Sequence, residues 1–153
     1  MSAGIGNAVG AAPQAGPFTW PARVYWEDTD AGGIVYYANY LRFLERARTE
    51  WLRSLGHSQQ LLAREAGIVF TVVSLNVDYR KPARLDDELT ITCAPQTEGA
   101  VTLRFAQQIY RKDGPGNDTL LVEANVRVAC VDAATMRPRR LPDFLTPGAA
   151  SNG

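Results

Sequence analysis

The sequence predicts an α+β fold in which a curved antiparallel sheet of about five strands wraps one long helix. Three observations carry this. Helical spacing of apolar residues is sustained over one long stretch, from about Ile34 to Leu55. Strand-patterned runs follow it, separated by turn residues with no room for crossover helices. One further β-rich run precedes the helix, so one helix is available to cover one sheet.

The first strand is expected over Phe18 to Glu27, with Pro21 at its start or on a sheet edge. In the long helix, Tyr37, Tyr40, Leu41, Leu44, Ala47, Trp51 and Leu55 recur at spacings of three and four and form the expected buried stripe. Arg46–Glu50 and Glu50–Arg53 are expected ion pairs, each worth a few tenths of a kcal/mol, so the stripe holds the helix. Gly56 is placed to stop it, Ser58 to cap a short helix from Gln59 to Ala66, and Gly67 to close that. The period then changes. Ile68 to Tyr79 reads as a strand with Val69, Val73, Leu75, Val77 and Tyr79 on one face. Lys81-Pro82 interrupts it and Arg84 to Glu88 turns. Leu89–Cys93, Val101–Phe105 and Leu120–Cys130 alternate as further strands, separated by Gly99 and by the hairpin Asp113–Asn117. After Asp132, prolines 138, 142 and 147 leave room for a short turn only.

A chain of 153 residues is the size of one domain. We expect a disordered Gly/Ala/Pro-rich leader over residues 1–17, a single domain over 18–145 and a frayed tail over 146–153. With 16 basic and 16 acidic residues, net charge is zero, which offers no footprint for nucleic acid or an anionic membrane. Cys93 and Cys130 lack metal spacing and fit strand alternation, as buried thiols of a reducing compartment. No transmembrane run and no signal peptide are read, which points to the cytoplasm.

The chemistry concentrates in Val24–Tyr40, where a strand breaks at Asp28 and Asp30, passes Gly32 and Gly33, and enters the long helix. Glycines allow close backbone approach to a ligand, and a helix start offers N–H groups with no intrahelical acceptor. A carboxylate beside such donors can face a polarised carbonyl. Asp28-Thr29-Asp30 also fits a plain turn. A phosphotransferase loop with magnesium would need a parallel sheet, which turn-joined strands do not make.

The run Tyr25-Trp26-Glu27-Asp28-Thr29-Asp30-Ala31-Gly32-Gly33-Ile34-Val35-Tyr36-Tyr37-Ala38-Asn39-Tyr40 resembles the active-site signature of the 4-hydroxybenzoyl-CoA thioesterase family. Within that family it looks most like the YbgC-type acyl-CoA thioesterases associated with the Tol-Pal envelope system. The resemblance extends through Phe43–Glu50, Val77–Tyr79, Pro82–Asp87 and Cys130–Asp132, covering roughly 22–141. It implies a hotdog fold, hydrolysis of an acyl-CoA to free acid and CoA, and an active site formed between two subunits. It places the catalytic carboxylate at Asp30, as nucleophile or general base, and the oxyanion donor at the Tyr37 backbone N–H. Some relatives acting on short acyl chains carry His where this chain has Tyr37, so it is the backbone role that transfers.

Around that centre, Gly32, Gly33, Ile34, Val35 and Tyr36 are the expected substrate contacts, and Arg80, Lys81, Arg84 and Arg104 are candidates for the CoA phosphates. Asn39 suits a cap or a contact across a dimer. His57, the one histidine, suits the helix C-terminus. No metal or redox cofactor is implied; CoA comes with the substrate. Exposed sheet edges point to a homodimer or homotetramer. A non-catalytic acyl-CoA or acyl-carrier-protein binding module or scaffold linked to envelope or phospholipid proteins is the rival reading.

Overall fold

The computed structural model describes residues 17–145; the expected leader, Pro17 apart, and the expected tail lie outside the described residues. Five strands form one antiparallel sheet: β1 (Phe18–Arg23), β2 (Ile68–Tyr79), β3 (Glu88–Glu98), β4 (Thr102–Lys112) and β5 (Asp118–Asp132), in the order β1-β3-β4-β5-β2. The long helix α1 (Tyr40–Ser54) lies against it. A short α2 (Gln59–Leu61) runs into a π-helical turn (Leu62–Ala66), in place of the single short helix expected. Gly56 at φ 88° and Gly67 at φ 70° end the two helical segments in the left-handed region. The Ser58 hydroxyl accepts from Leu61 N, as a cap should.

Five expectations need correction. β1 stops at Arg23 because the Val24 N–H goes to Asp87 O and the Tyr25 N–H to the Asp28 carboxylate, which starts a 3₁₀ turn over Trp26–Asp28. Helix α1 starts at Tyr40, not Ile34. Ile34 and Val35 are extended, bridged to Arg84 and Thr29, and a 3₁₀ turn (Tyr37–Asn39) leads into the helix. The buried stripe is Tyr40, Phe43, Leu44, Ala47 and Leu52, while Tyr37, Leu41 and Leu55 are exposed. Glu50 takes Arg53 at 2.6 Å, but Arg46 lies over the Phe43 ring instead of meeting Glu50.

The fifth correction concerns β2. Its pairing with β5 shifts between Val72 and Ser74, so Val73 is an extra residue in the strand. A bulge of one residue reverses the alternation beyond it. Ile68 and Phe70 therefore pack into the core before the bulge, and Val77 after it. Val69 and Val73 do not share their face.

The core has two parts. One gathers Tyr40, Phe43, Leu44 and Ala47 against Leu89, Ile91, Ile109, Leu121 and Val122; the other centres on Leu52, Leu103, Phe105, Val126 and Val128. Between them, in the inward row Leu103-Phe105-Gln107-Ile109 of β4, sits a polar residue. Gln107 is 1% exposed and fully engaged. Its Nε2 donates to Leu44 O and Thr92 O, and its Oε1 accepts from Arg48 Nη1 at 3.0 Å. Helix and sheet are thus pinned in one register at mid-length, a feature the sequence reading missed.

Cys93 and Cys130 are buried and free, as expected. Burial pushes the Cys93 thiol up to about 12, with the Arg48 charge opposing. His57 stacks on Phe144 with ring centroids 3.6 Å apart, a packing role beside the end of α1.

Candidate active site

The Asp28–Asn39 segment is a folded loop rather than a linker, and Asp28 is its hub. Its side chain is 8% exposed, and Oδ2 accepts from Tyr25 N at 2.8 Å. Its carbonyl accepts from Tyr36 N at 3.1 Å and from Asn39 Nδ2 at 2.9 Å. Asp28 therefore shapes the loop, and Asn39 latches the helix entry to it.

Asp30 sits at the tip, exposed in the single chain. Its backbone is fixed by Asp30 N to Ile34 O and Gly33 N to Asp30 O, and its Oδ1 accepts from Gly32 N at 2.8 Å. The two glycines have separate causes. Gly33 holds φ at 81°, where a side chain is strained, and a Cβ on Gly32 would stand 3.2 Å from Asp30 Oδ1. The loop thus leaves the second carboxylate oxygen of Asp30 outside the turn bond.

The loop is sewn to the turn before β3. Val24 N donates to Asp87 O, Asp86 N to Val24 O, and Val35 N to Ala83 O, while Ile34 bridges Arg84. Asp86 takes a positive φ of 71° to make this turn. Val35 is buried by this stitching, so in the single chain it is core rather than a contact surface.

Beside Asp30 the helix entry begins. Tyr37 is the first residue of the 3₁₀ turn, so its N–H has no intrahelical acceptor. An aromatic wall surrounds it: the Tyr36 and Tyr37 rings lie 4.9 Å apart, Tyr37 meets Tyr79 edge-on at 6.2 Å, and Tyr79 tilts on Tyr40 at 5.5 Å. Tyr40 is buried and its hydroxyl accepts from Ala83 N at 2.9 Å. Burial raises its pKa and the Ala83 N–H lowers it.

The predicted phosphate contacts are scattered. Arg80 is held by Glu123 at 2.6 Å, and its pKa is raised by that partner. Lys81 and Arg84 belong to the turn that carries the loop, and both are exposed. Arg104 lies apart. It stands opposite Arg127 of β5, whereas Tyr79 stands opposite Val122, about 17 Å further along that strand. There it meets Gln96 and Glu98. The sequence reading assigns Tyr79 no role beyond its strand, although Val77–Tyr79 is one of the runs that carry the resemblance.

Among the described residues no group of three or more His, Cys, Asp or Glu is placed to hold a metal ion. No helix among them is long and apolar enough to cross a membrane.

A family model described as "Thioesterase superfamily" matches residues 32–117, more than half of the chain. The protein belongs to the thioesterase superfamily. Among curated members, the chain is 50% identical over 125 residues to the "Acyl-CoA thioester hydrolase YbgC" of Escherichia coli O6:H1, covering 82% of this chain and 90% of that one. It is 46% identical to the "Acyl-CoA thioesterase YbgC" of Haemophilus influenzae, covering 82% and 88%. Among solved structures, the 4-hydroxybenzoyl CoA thioesterase of Pseudomonas sp. strain CBS-3 superimposes with a TM-score of 0.77 at 26% identity, over 86% of this chain and 97% of that one. The match to such thioesterases settles the fold as the hotdog that the sequence resemblance implied. In this superfamily member the matched segment opens at Gly32, within the loop, and runs through α1 and β3 into the hairpin before β5.

Proposed function

We propose that the protein is an acyl-CoA thioesterase, with Asp30 as its catalytic carboxylate and the Tyr37 backbone N–H as its oxyanion donor. The observation that supports the reading is an exposed carboxylate, held by Gly32 N–H, in the folded loop that leads directly into an orphan helix-entry N–H beside an aromatic wall. The strong identity to proteins named acyl-CoA thioester hydrolases supports the substrate class.

The chemistry follows from what each group offers. A thioester oxygen at the Tyr37 N–H gains negative charge in the tetrahedral transition state, where a preset donor stabilises it most. In one route Asp30 attacks the carbonyl carbon, the C–S bond breaks to release CoA thiolate, and water hydrolyses the mixed anhydride. In the other Asp30 takes a proton from water as the water oxygen attacks, and CoA leaves from the tetrahedral adduct. After a single turnover in ¹⁸O water, label in Asp30 marks the anhydride route with water attacking the Asp30 carboxyl carbon, and a trapped acyl-enzyme marks it when water attacks the acyl carbon.

The second copy belongs to this reading. Edge strand β1 is blunted by Pro21, but edge strand β2 is long and exposes Val72, Val73 and Leu75, with Leu41 of α1 beside them. An open apolar edge of this kind pairs with its own copy. We infer a dimer formed on β2, with the site completed between protomers, and an even assembly as its multiple. Light scattering at micromolar concentration tests it; a monomeric mass counts against it. A reducing compartment such as the cytoplasm suits the two free thiols. Acyl carrier protein as an alternative thioester donor is tested by the same thiol-release assay.

Release of thiol from a panel of short, long and aromatic acyl-CoAs is the direct test. Binding without turnover across the panel would favour the non-catalytic module instead.

A further inference from the structure

We infer that Tyr79 is a positioning residue that ties the oxyanion donor's peptide to the sheet. The inference rests on the reading of Tyr37 N–H as that donor, and goes beyond it by naming a residue that holds it.

The donor belongs to the Tyr36–Tyr37 peptide, and this peptide is bracketed. Its own carbonyl, Tyr36 O, accepts from Asn39 N at 2.8 Å within the 3₁₀ turn; behind it, the Tyr36 N–H is fixed on Asp28 O at 3.1 Å, and ahead of it, the Tyr37 carbonyl accepts the Tyr79 hydroxyl at 3.2 Å. The first two anchors come from the turn and the loop. The third comes from the sheet, at the last residue of β2.

Tyr79 is itself held where an anchor is useful. Its ring packs tilted on Tyr40, which is 3% exposed and tied by its hydroxyl to Ala83 N. It also meets the Tyr37 ring edge-on. A strand-end tyrosine with half its surface in solvent could turn its hydroxyl to water, yet here the hydroxyl points at the helix entry. The line Ala83–Tyr40–Tyr79–Tyr37 thus runs from the buried core to the donor peptide. Catalytic geometry must be kept within about 0.5 Å to be productive, and a misplacement of about 1 Å can cost on the order of 10²-fold.

The test is Tyr79→Phe in the full-length protein, which keeps both ring contacts and deletes one hydroxyl. On an acyl-CoA that the wild type hydrolyses, kcat is expected to fall about tenfold while KM changes less than twofold. Affinity for an S-alkyl CoA thioether, which has no carbonyl, should stay level. A CoA ketone analogue, which keeps the carbonyl, should bind about tenfold more weakly. Wild-type kcat in the variant would overturn the inference, as would a parallel loss of thioether binding, which marks a general structural effect. Asp30→Asn assayed alongside separates the layers. Full hydrolysis by that variant rejects the site itself, whereas lost hydrolysis beside an unimpaired Tyr79→Phe rejects the positioning role alone.

Discussion

The side-chain amide of Asn39 donates to the backbone carbonyl of Asp28 at 2.9 Å, joining the first residue of the acidic loop to the turn that opens the main helix. Asp28 O also holds Tyr36 N, so one carbonyl sets both ends of the segment between carboxylate and donor. Asn39→Ala removes one hydrogen bond of ordinary strength. It should lower stability by about 1 kcal/mol in urea unfolding, and should lower kcat more than that loss alone suggests, because the helix entry is then free to shift.

Asp30→Asn should lower turnover by about 10² or more with the fold intact by circular dichroism. Asp28→Asn should do much less, since an amide oxygen can still accept from Tyr25 N. Equal losses in the two variants would contradict the division of labour between a reacting and a shaping aspartate.

Gly32 is not at positive φ, so alanine is compatible with its backbone, but the new methyl would press on Asp30 Oδ1 from 3.2 Å. The flexible carboxylate can yield by a few tenths of an ångström at little cost to folding. Gly32→Ala should therefore keep its melting temperature and lose kcat, a pairing that thermal unfolding and steady-state assay detect together.

Gln107→Leu should destabilise by about 2–3 kcal/mol, because it strands a partly buried Arg48 donor together with the Thr92 and Leu44 carbonyls. Burial already lowers the Arg48 pKa, which marks the guanidinium as short of water. Pairing the change with Arg48→Met should recover part of the loss, since no orphan cation then remains. Chemical denaturation of the single and double variants measures both.

Cys93 titrates at about 12 in the folded chain, above the value of about 8.5 expected of an unfolded thiol. The neutral thiol is therefore the folded form. Its contribution is complete below about pH 8.5 and is lost as pH rises toward 12. Cys93→Ala should make the alkaline decline of stability shallower across that window, with a residual slope from Tyr40, whose pKa burial also raises. A maleimide reagent at neutral pH should leave native Cys93 unmodified and react after unfolding.

Element order and strand count were legible in the sequence because they depend on local period and on turn residues. Gly56, Ser58 and Gly67 acted as the caps their chemistry implies. What escaped was set by tertiary partners. The helix pattern seemed to begin at Ile34 because Ile34 and Val35 are apolar, but their backbones pair with Arg84 and Ala83 and hold the segment extended. The facing of β2 failed at Val73 because a bulge leaves no trace in a run of β-branched residues. In the proposed site, Asp30 and Tyr37 are the residues the motif resemblance names. The Tyr79 contact was not legible, because it spans 42 positions and appears only when the strand end meets the helix entry.

The backbone bonds that join 24–35 to 83–87 make the acidic loop and the turn before β3 a single inherited piece. Substrate preference cannot then be transplanted by exchanging the aspartate loop alone. A graft from another hotdog enzyme would have to bring its own Ala83–Asp87 counterpart, and insertions in one of the two segments should be matched by changes in the other.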